Sequence, residues 1–588
     1  MTWAKRRAII IVTLFLFLAV ILWAAFRPSS LELPSKAVLV IDAGGDIEEQ
    51  RAPDFFSALS GNTEPVLHDY TDALDSAATD SHITGVIVRI APLATGWGKV
   101  EEIRSHLLAF RKSGKPSVCY LGYDGIGNLE YYLASACQKI WLVPTAPVAI
   151  RGMMAQAIFF RGTLDKLKVV PEFYHIAEFK TAGNTFTEKK FTPAHREEVE
   201  GLLKSIYNQY LDDTSKARKL DRAAFEALVN RGPFSSSDAV NEKIVDRMGY
   251  WDQLQDEFKT RDGAWSPVSL RSYKSFVKND GTERIAIIHA SGLIVSGDSG
   301  STPGGGSIMG GDSVAADIRA ARKDSGIKAI VLRVDSGGGS VVGSEVIRRE
   351  VELANNVKPV VVSMSDVAAS GGYWISTPAR KIVADPDTIT GSIGVLIGKF
   401  NVSGLYNLLG ISTDSIATSD NASLFSEQQN FSPAQRAYIE KSLQETYEQF
   451  TKGVASGRKM TVEAVDKVGK GRVWSGSQAK DLGLVDELGG LDRAIEVAKN
   501  LAKIPASESV RIERYPRQKS FLEQLLEREK DQLNESESVE SFLHELVAHM
   551  EPIQARIRRR VRARSPKARA PPPSGRAPVS CPRGSTST

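Results

Sequence analysis

Cysteine is nearly absent from this 588-residue chain: Cys119, Cys137 and Cys581 are the only three, and no two form a CxxC pair. That excludes a dense disulfide framework and a zinc site built on thiolate pairs, and it leaves the redox compartment undecided. Neither GxGxxG nor a Walker A sequence occurs, so nucleotide use has no support. Histidine is scarce as well. Of the eight, His68, His82, His106, His175, His195 and His289 are scattered outside any triad context. His544-Glu545 to His549 has one residue too many for HExxH, so both imidazoles would not face one metal. No metal or cofactor is expected. Net positive charge is missing from the body: the formal net charge is +4, yet ten Lys/Arg and no Asp/Glu lie from Arg556 onward, which leaves about −6 for the rest. A nucleic-acid-binding body is therefore not signalled. With 42% hydrophobic and 24% charged residues, the chain has enough apolar material for large cores, which rules out wholesale disorder and a collagen-like fibre.

Only one long apolar run is present. Ala8 to Phe26 is broken only by Thr13, follows Lys5, Arg6 and Arg7, and precedes Arg27. At about 1.5 Å per residue, a helix of that length nearly spans the ~30 Å hydrocarbon core of a bilayer. A cleavable signal peptide usually has a shorter apolar stretch of ~7–15 residues. Residues 8–26 are therefore read as an uncleaved anchor. The heavier positive charge before the span keeps residues 1–7 cytoplasmic and places the rest on the exported side.

The body is written twice. Ile83 to Ile90 (ITGVIVRI) matches Ile327 to Val334 (IKAIVLRV), and Lys115-Pro116 matches Lys358-Pro359 at the start of a second apolar strand. Lys139-Ile140 pairs with Lys381-Ile382, and Phe191-Thr-Pro-Ala pairs with Phe431-Ser-Pro-Ala, each opening a long helical pattern with Pro in its first turn. Ala239, Val245, Asp246 and Gly249 repeat as Ala479, Val485, Asp486 and Gly489. All pairs fall in order, so the body reads as a duplicated unit. Strands alternate with helical segments, which predicts α/β architecture with largely parallel sheets. The expected organisation is a first repeat over 36–272, a second over 284–506, a helical extension over 507–553 and a basic, Pro/Arg/Ser-rich tail over 554–588. The tail has no apolar periodicity to offset the entropy of ordering it, and it is read as a non-functional extension rather than a lipid-adhering arm.

Chemistry concentrates in the second repeat. Asp335-Ser-Gly-Gly-Gly-Ser340 directly follows one strand, and Ala368-Ala-Ser-Gly-Gly-Tyr-Trp374 follows the next. Glycines after a strand let backbone N–H groups converge on an anion, and a Ser at a strand-to-helix turn is exposed as a nucleophile. Two ordinary Gly-rich turns would look the same. GxSxG fails around Ser370 at Ala368, and around Ser392 at Thr390. Without a histidine base, a nucleophilic Ser370 needs a neutral lysine, and burial supplies one by disfavouring the charged amine.

These motifs, together with EFKTAGNTFT in the first repeat and DPDTITGSIG in the second, resemble the signal peptide peptidase A (protease IV) family in its long duplicated bacterial form. The resemblance covers roughly Lys36 to Asn500 plus the N-terminal anchor. It implies tandem Clp-protease/crotonase-like domains, with Ser370 as nucleophile, Lys180 as general base and Ser392 orienting the lysine. It also implies an oxyanion hole from the N–H groups of Gly371 and of Gly339, less favourably Gly338. Where the family more often has SPGG, this chain has Ser336-Gly337-Gly338-Gly339. The implied activity is hydrolysis of remnant signal peptides and other hydrophobic or unfolded peptides, at a bacterial inner membrane with the catalytic domain periplasmic. The implied assembly is a homo-oligomer, by resemblance a tetramer, anchored in the bilayer by residues 8–26, with no nucleic-acid partner. In register, Asn128 stands opposite Ser370, Asp420 opposite Lys180, and Pro92 to Thr95 opposite the glycine loop, so one composite site is expected per chain. The rival readings are a non-catalytic, membrane-bound peptide-binding scaffold of the same fold and crotonase-like acyl-CoA chemistry.

Overall fold

Runs such as Val86-Ile87-Val88 and Ile330-Val331-Leu332, buried along their whole length, become the central strands of two sheets. Strands buried on both faces suit parallel sheets covered by helices. The first sheet has the order Arg247–Met248, Lys139–Leu142, Ser117–Leu121, Ile83–Leu93, Ala37–Gly45, Pro267–Ser269, with every neighbour parallel. The second repeats that order in Glu487–Leu488, Lys381–Ala384, Val360–Ala369, Ile327–Ser336, Glu283–Ser291, Val510–Tyr515, again all parallel. It adds Ile389–Gly391, parallel to the end of Val360–Ala369, and Val473–Ser475, antiparallel to that addition. The computed structural model describes residues 32–50, 64–260, 262–301 and 307–517, all within the compact unit Met1–Gln518. The expected anchor at 8–26 with its 1–7 leader, the helical pattern at 521–550 and the tail at 554–588 lie outside the described residues. Among the described residues, no helix is long and apolar enough to cross a membrane.

The duplication extends to individual hydrogen bonds. Lys115 Nζ donates to the carbonyls of Ala77 and Asp80, closing the C-terminal end of helix Leu67–Thr79, and Lys358 Nζ donates to those of Ala321 and Asp324, closing that of helix Gly311–Lys323. Tyr131 donates its hydroxyl to Ile244 O at 2.8 Å, and Tyr373 donates to Leu484 O at 2.8 Å. Asp246 accepts from Ile140 N, and Asp486 accepts from Ile382 N. Two 26-residue helices, Pro193–Arg218 and Pro433–Arg458, each end at a left-handed lysine, Lys219 and Lys459.

One expected boundary is wrong. Residues 507–517 do not open a helical extension, because they carry the strand Val510–Tyr515, which completes the second sheet beside Glu283–Ser291. Val510 and Ile512 pack on one face against the cluster around Leu491 and Val497, while Tyr515 enters the main core on the other. Alternating charges mask this period of two, but the pairing satisfies it. The second repeat therefore runs to at least Tyr515. Cys119, on the strand Ser117–Leu121, and Cys137, just before Lys139–Leu142, are joined in a buried disulfide that their spacing did not reveal.

The repeats interlock at two places. The first repeat's strand Val170–His175 pairs antiparallel with the second repeat's Leu396–Asn401. The helix Trp97–Arg111 of the first repeat also points its N-terminus at Asp366 of the second, whose carboxylate accepts from Gly96 N and Lys99 N, each at 2.9 Å.

Candidate active site

Strand Val360–Ala369 ends at Ser370, which holds φ 54° before the short helix Gly371–Ser376. A non-glycine residue in that region is strained and is held there by its surroundings. Ser370 N donates to Gly391 O at 3.0 Å, which fixes the turn to the adjacent Ile389–Gly391 strand. Ser392 follows directly, also at positive φ, and its N–H donates to Arg472 O at 2.8 Å. Two strand ends thus set Ser370 and Ser392 side by side.

Lys180 arrives from the other repeat. Beyond Val170–His175 the chain continues along the second repeat, with Ile176 N donating to Val395 O and Phe179 N to Lys470 O. Lys180 Nζ then lies 3.0 Å from Ser370 Oγ, 2.9 Å from Ser392 Oγ and 3.1 Å from Ser392 O. A neutral amine has two N–H bonds and one lone pair, which match two acceptors on Ser392 and one O–H on Ser370. The ammonium form would donate to the same three atoms. Proton gain or loss therefore needs no rearrangement. Lys180 is only 5% exposed, and burial lowers its pKa to about 8 against an opposing pull from Glu198. Glu198, itself raised to about 7 by burial, accepts from Val473 N and Thr181 Oγ1, each at 3.4 Å.

The glycine loop covers the other side of Ser370. Gly338 and Gly339 take φ values of 99° and 151°, and Ser340 N donates to Ile294 O while Ile294 N donates to Gly338 O. Gly338 N is occupied by Ser336 Oγ at 3.1 Å, and that hydroxyl in turn donates to Gly292 O, bracing the turn. Among the described residues, Gly339 N and Gly371 N have no partner. Of the two glycines the sequence left open, Gly339 is therefore the one with a free N–H group. Leu293, Val341 and Val342 are exposed apolar side chains flanking this loop.

The first repeat has no such opening. Glu130, which takes the register position of Gly372, accepts from Leu93 N and Gly127 N, both at 2.8 Å, and so fills its own crevice. Asn128, opposite Ser370, accepts from Arg151 N, and Asp420, opposite Lys180, is exposed at the start of the turn Asp420–Ser423. All six residues singled out in the sequence, Ser370, Lys180, Ser392, Gly371, Gly339 and Gly338, come together in one place.

Gly471 escaped the sequence reading, although the Gly469-Lys470-Gly471 turn was a visible signal. At φ 80°, a Cβ built on it would lie 2.5 to 2.6 Å from the N, Cα and Cβ of Lys180. Gly471→Ala should displace Lys180 and lower kcat by roughly 10²-fold, the scale of a 1 Å misplacement. Steady-state assays beside a thermal melt would check it. An unchanged kcat would mean that the lysine tolerates the shift.

The sequence model of Peptidase family S49 matches residues 109–264 and 352–505, one stretch in each repeat. The chain is 35% identical to the chloroplastic serine protease SPPA of Arabidopsis thaliana over 83% of its own length and 73% of that protein's. It is 33% identical to Protease 4 of Salmonella typhi, over 85% of this chain and 84% of the relative. Among solved structures, a ClpP1 mutant from Listeria monocytogenes overlaps 36% of this chain and 95% of its own at 16% identity and a TM-score of 0.23.

Proposed function

The chain belongs to peptidase family S49 and is a serine peptidase, and from that premise we propose that it cuts peptide bonds with Ser370 as nucleophile and Lys180 as general base. The observation that carries this reading is the buried amine 3.0 Å from Ser370 Oγ. In the first half-reaction Lys180 takes the proton of Ser370 as Oγ attacks the scissile carbonyl, and then passes it to the leaving amine. In the second, the neutral lysine activates water against the acyl-enzyme. Ser392 holds the amine in place, while the N–H groups of Gly339 and Gly371 receive the developing oxyanion.

Hydrophobic or unfolded peptides, including remnant signal peptides, are the proposed substrates, and Leu293, Val341 and Val342 beside the glycine loop support an apolar occupant. Residues 8–26 are proposed to anchor the protein as a single span in a bacterial inner membrane, with the catalytic body exported and assembled as a homo-oligomer. The Cys119–Cys137 disulfide is consistent with an oxidising exported compartment.

The test is covalent labelling of detergent-extracted protein with a serine-reactive fluorophosphonate, followed by mapping of the adduct. An adduct on Ser370 that is lost in Lys180→Met is the expected result. Labelling elsewhere, or none, overturns the assignment of Ser370.

A further inference from the structure

The mechanism proposed above uses Lys180, but a second buried lysine from the same repeat reaches the same strand ends from the opposite direction. Lys99, in the first turn of helix Trp97–Arg111, is 6% exposed. Its Nζ lies 2.9 Å from Asp335 Oδ2 and 3.7 Å from Asp366 Oδ2. These two aspartates occupy matching places: Asp335 stands four residues before Gly339, and Asp366 stands four before Ser370. Between them the strands part, because the pairing of Ile327–Ser336 with Val360–Ala369 shifts register between Val334 and Ser336. Asp335 Oδ1 spans the gap by accepting from Val367 N at 3.2 Å. Where the loops carrying the oxyanion donor and the nucleophile diverge, their stems are thus held by one ammonium group.

The surrounding backbone is cut to fit. A Cβ on Gly96 would sit 2.3 Å from the carboxyl carbon of Asp366, so only glycine admits that carboxylate to the helix N-terminus. Two residues before Asp335, the fully buried Arg333 meets Glu49 at 2.8 Å and Glu102 at 2.6 Å, both from the first repeat. Burial disfavours a charged Lys99, yet Asp335, Glu49 and Asp366 together raise its pKa and keep it protonated. Apolar residues of similar volume stabilise an interface as well as buried ion pairs do, so this network is better explained by the geometry it fixes.

We infer that Lys99 is a positioning residue of the reaction, setting the separation between Ser370 and Gly339 by clamping Asp335 and Asp366 at the stems of their loops. The inference rests on the serine–lysine reading of the site. It gives the first repeat a second contribution: the segment in register with the glycine loop has lost its oxyanion role, and the helix that follows it braces the loop that kept one.

The test compares Lys99→Met and the double variant Lys99→Met/Asp335→Asn with the unaltered full-length protein. Its readouts are kcat, KM, inhibition by a peptide aldehyde whose tetrahedral adduct needs the oxyanion donors, and Tm. Lys99→Met should lower kcat roughly 10²-fold and weaken aldehyde inhibition in step, with KM changed by less than about threefold. The rising limb of the pH profile should stay where it was, because Lys180 is untouched. The double variant, which leaves fewer unpaired buried charges, should regain Tm but not kcat, and it decides the matter if Lys99→Met alone does not fold. Recovery of kcat together with Tm, or a folded Lys99→Met with unchanged kcat and aldehyde affinity, overturns the inference. Absence of fluorophosphonate labelling at Ser370 in the unaltered protein instead overturns the reading beneath it.

Discussion

Replacing Lys180 with methionine is expected to lower kcat/KM by on the order of 10⁴-fold or more, with Tm unchanged or higher. The activity loss follows from geometry: Nζ is the group placed to take the Ser370 proton, at 3.0 Å, and among the described residues no histidine is hydrogen-bonded to Ser370. The stability gain follows from desolvation. Lys180 is held at about 8 against an ordinary 10.5. The unfolded chain therefore binds a proton more readily than the folded one. Below pH 8 both states are protonated and the folded state carries the full cost, roughly 3 kcal/mol. Between about pH 8 and 10.5 only the unfolded state holds the proton, so stability rises with pH and the cost fades. Methionine fills similar space without charge and removes the cost at neutral pH, offset in part by the lost contacts to Ser392. Ser370→Ala should be equally inactive, and the double variant no worse than either single one, because the two groups act as a unit. A Lys180→Met protein with kcat/KM near normal would refute the assignment. One that melts far below the parent would show a structural role instead.

The second large effect is on pH dependence. Since the base must be neutral, kcat/KM should rise about tenfold per pH unit below the lysine's value near 8 and level off above it, leaving activity at pH 6 roughly 10²-fold under the plateau. A histidine base would have levelled off near ~6.5. Glu198 modulates the limb. Its carboxyl ionises near 7, and the resulting negative charge raises the pKa of Lys180. Glu198→Gln removes that charge and should move the rising limb to lower pH. A limb that stays in place, or moves to higher pH, would show that Glu198 does not act on the amine.

Local pattern carried the duplication and the glycine turns well, because a strand followed by DSGGGS or AASGG advertises its own geometry. Two sheets of identical strand order and the serine at a strand end follow from those signals. Lys180 had no such pattern: its neighbours in sequence say nothing of Ser370, and only resemblance singled it out. The partners of Lys99 and Gly471 are equally remote, with Asp366 and Lys180 separated from them by hundreds of residues, so no window of sequence holds both sides of either contact. The strand Val510–Tyr515 was obscured for a different reason. Arg511, Glu513 and Arg514 interrupt its pattern, and Val510 and Ile512 are too few to display a period without the neighbour they pack against. Nor could spacing pair Cys119 with Cys137, whose distance of 5.7 Å between Cα atoms is set by the turn between helix and strand.

The crossing of Val170–His175 onto Leu396–Asn401 also acts as a clock. Lys180 leaves the ribosome 190 residues ahead of Ser370. At an elongation rate of about 5–20 residues per second, Lys180 exists for roughly 10–40 s before Ser370 is made. Through that interval the nascent chain has one half of the reacting pair and no strand on which to dock it. Neither the nascent chain itself nor a neighbouring peptide meets an armed serine. Latency of this kind requires no pro-segment and no inhibitor, because it is written into the order of translation.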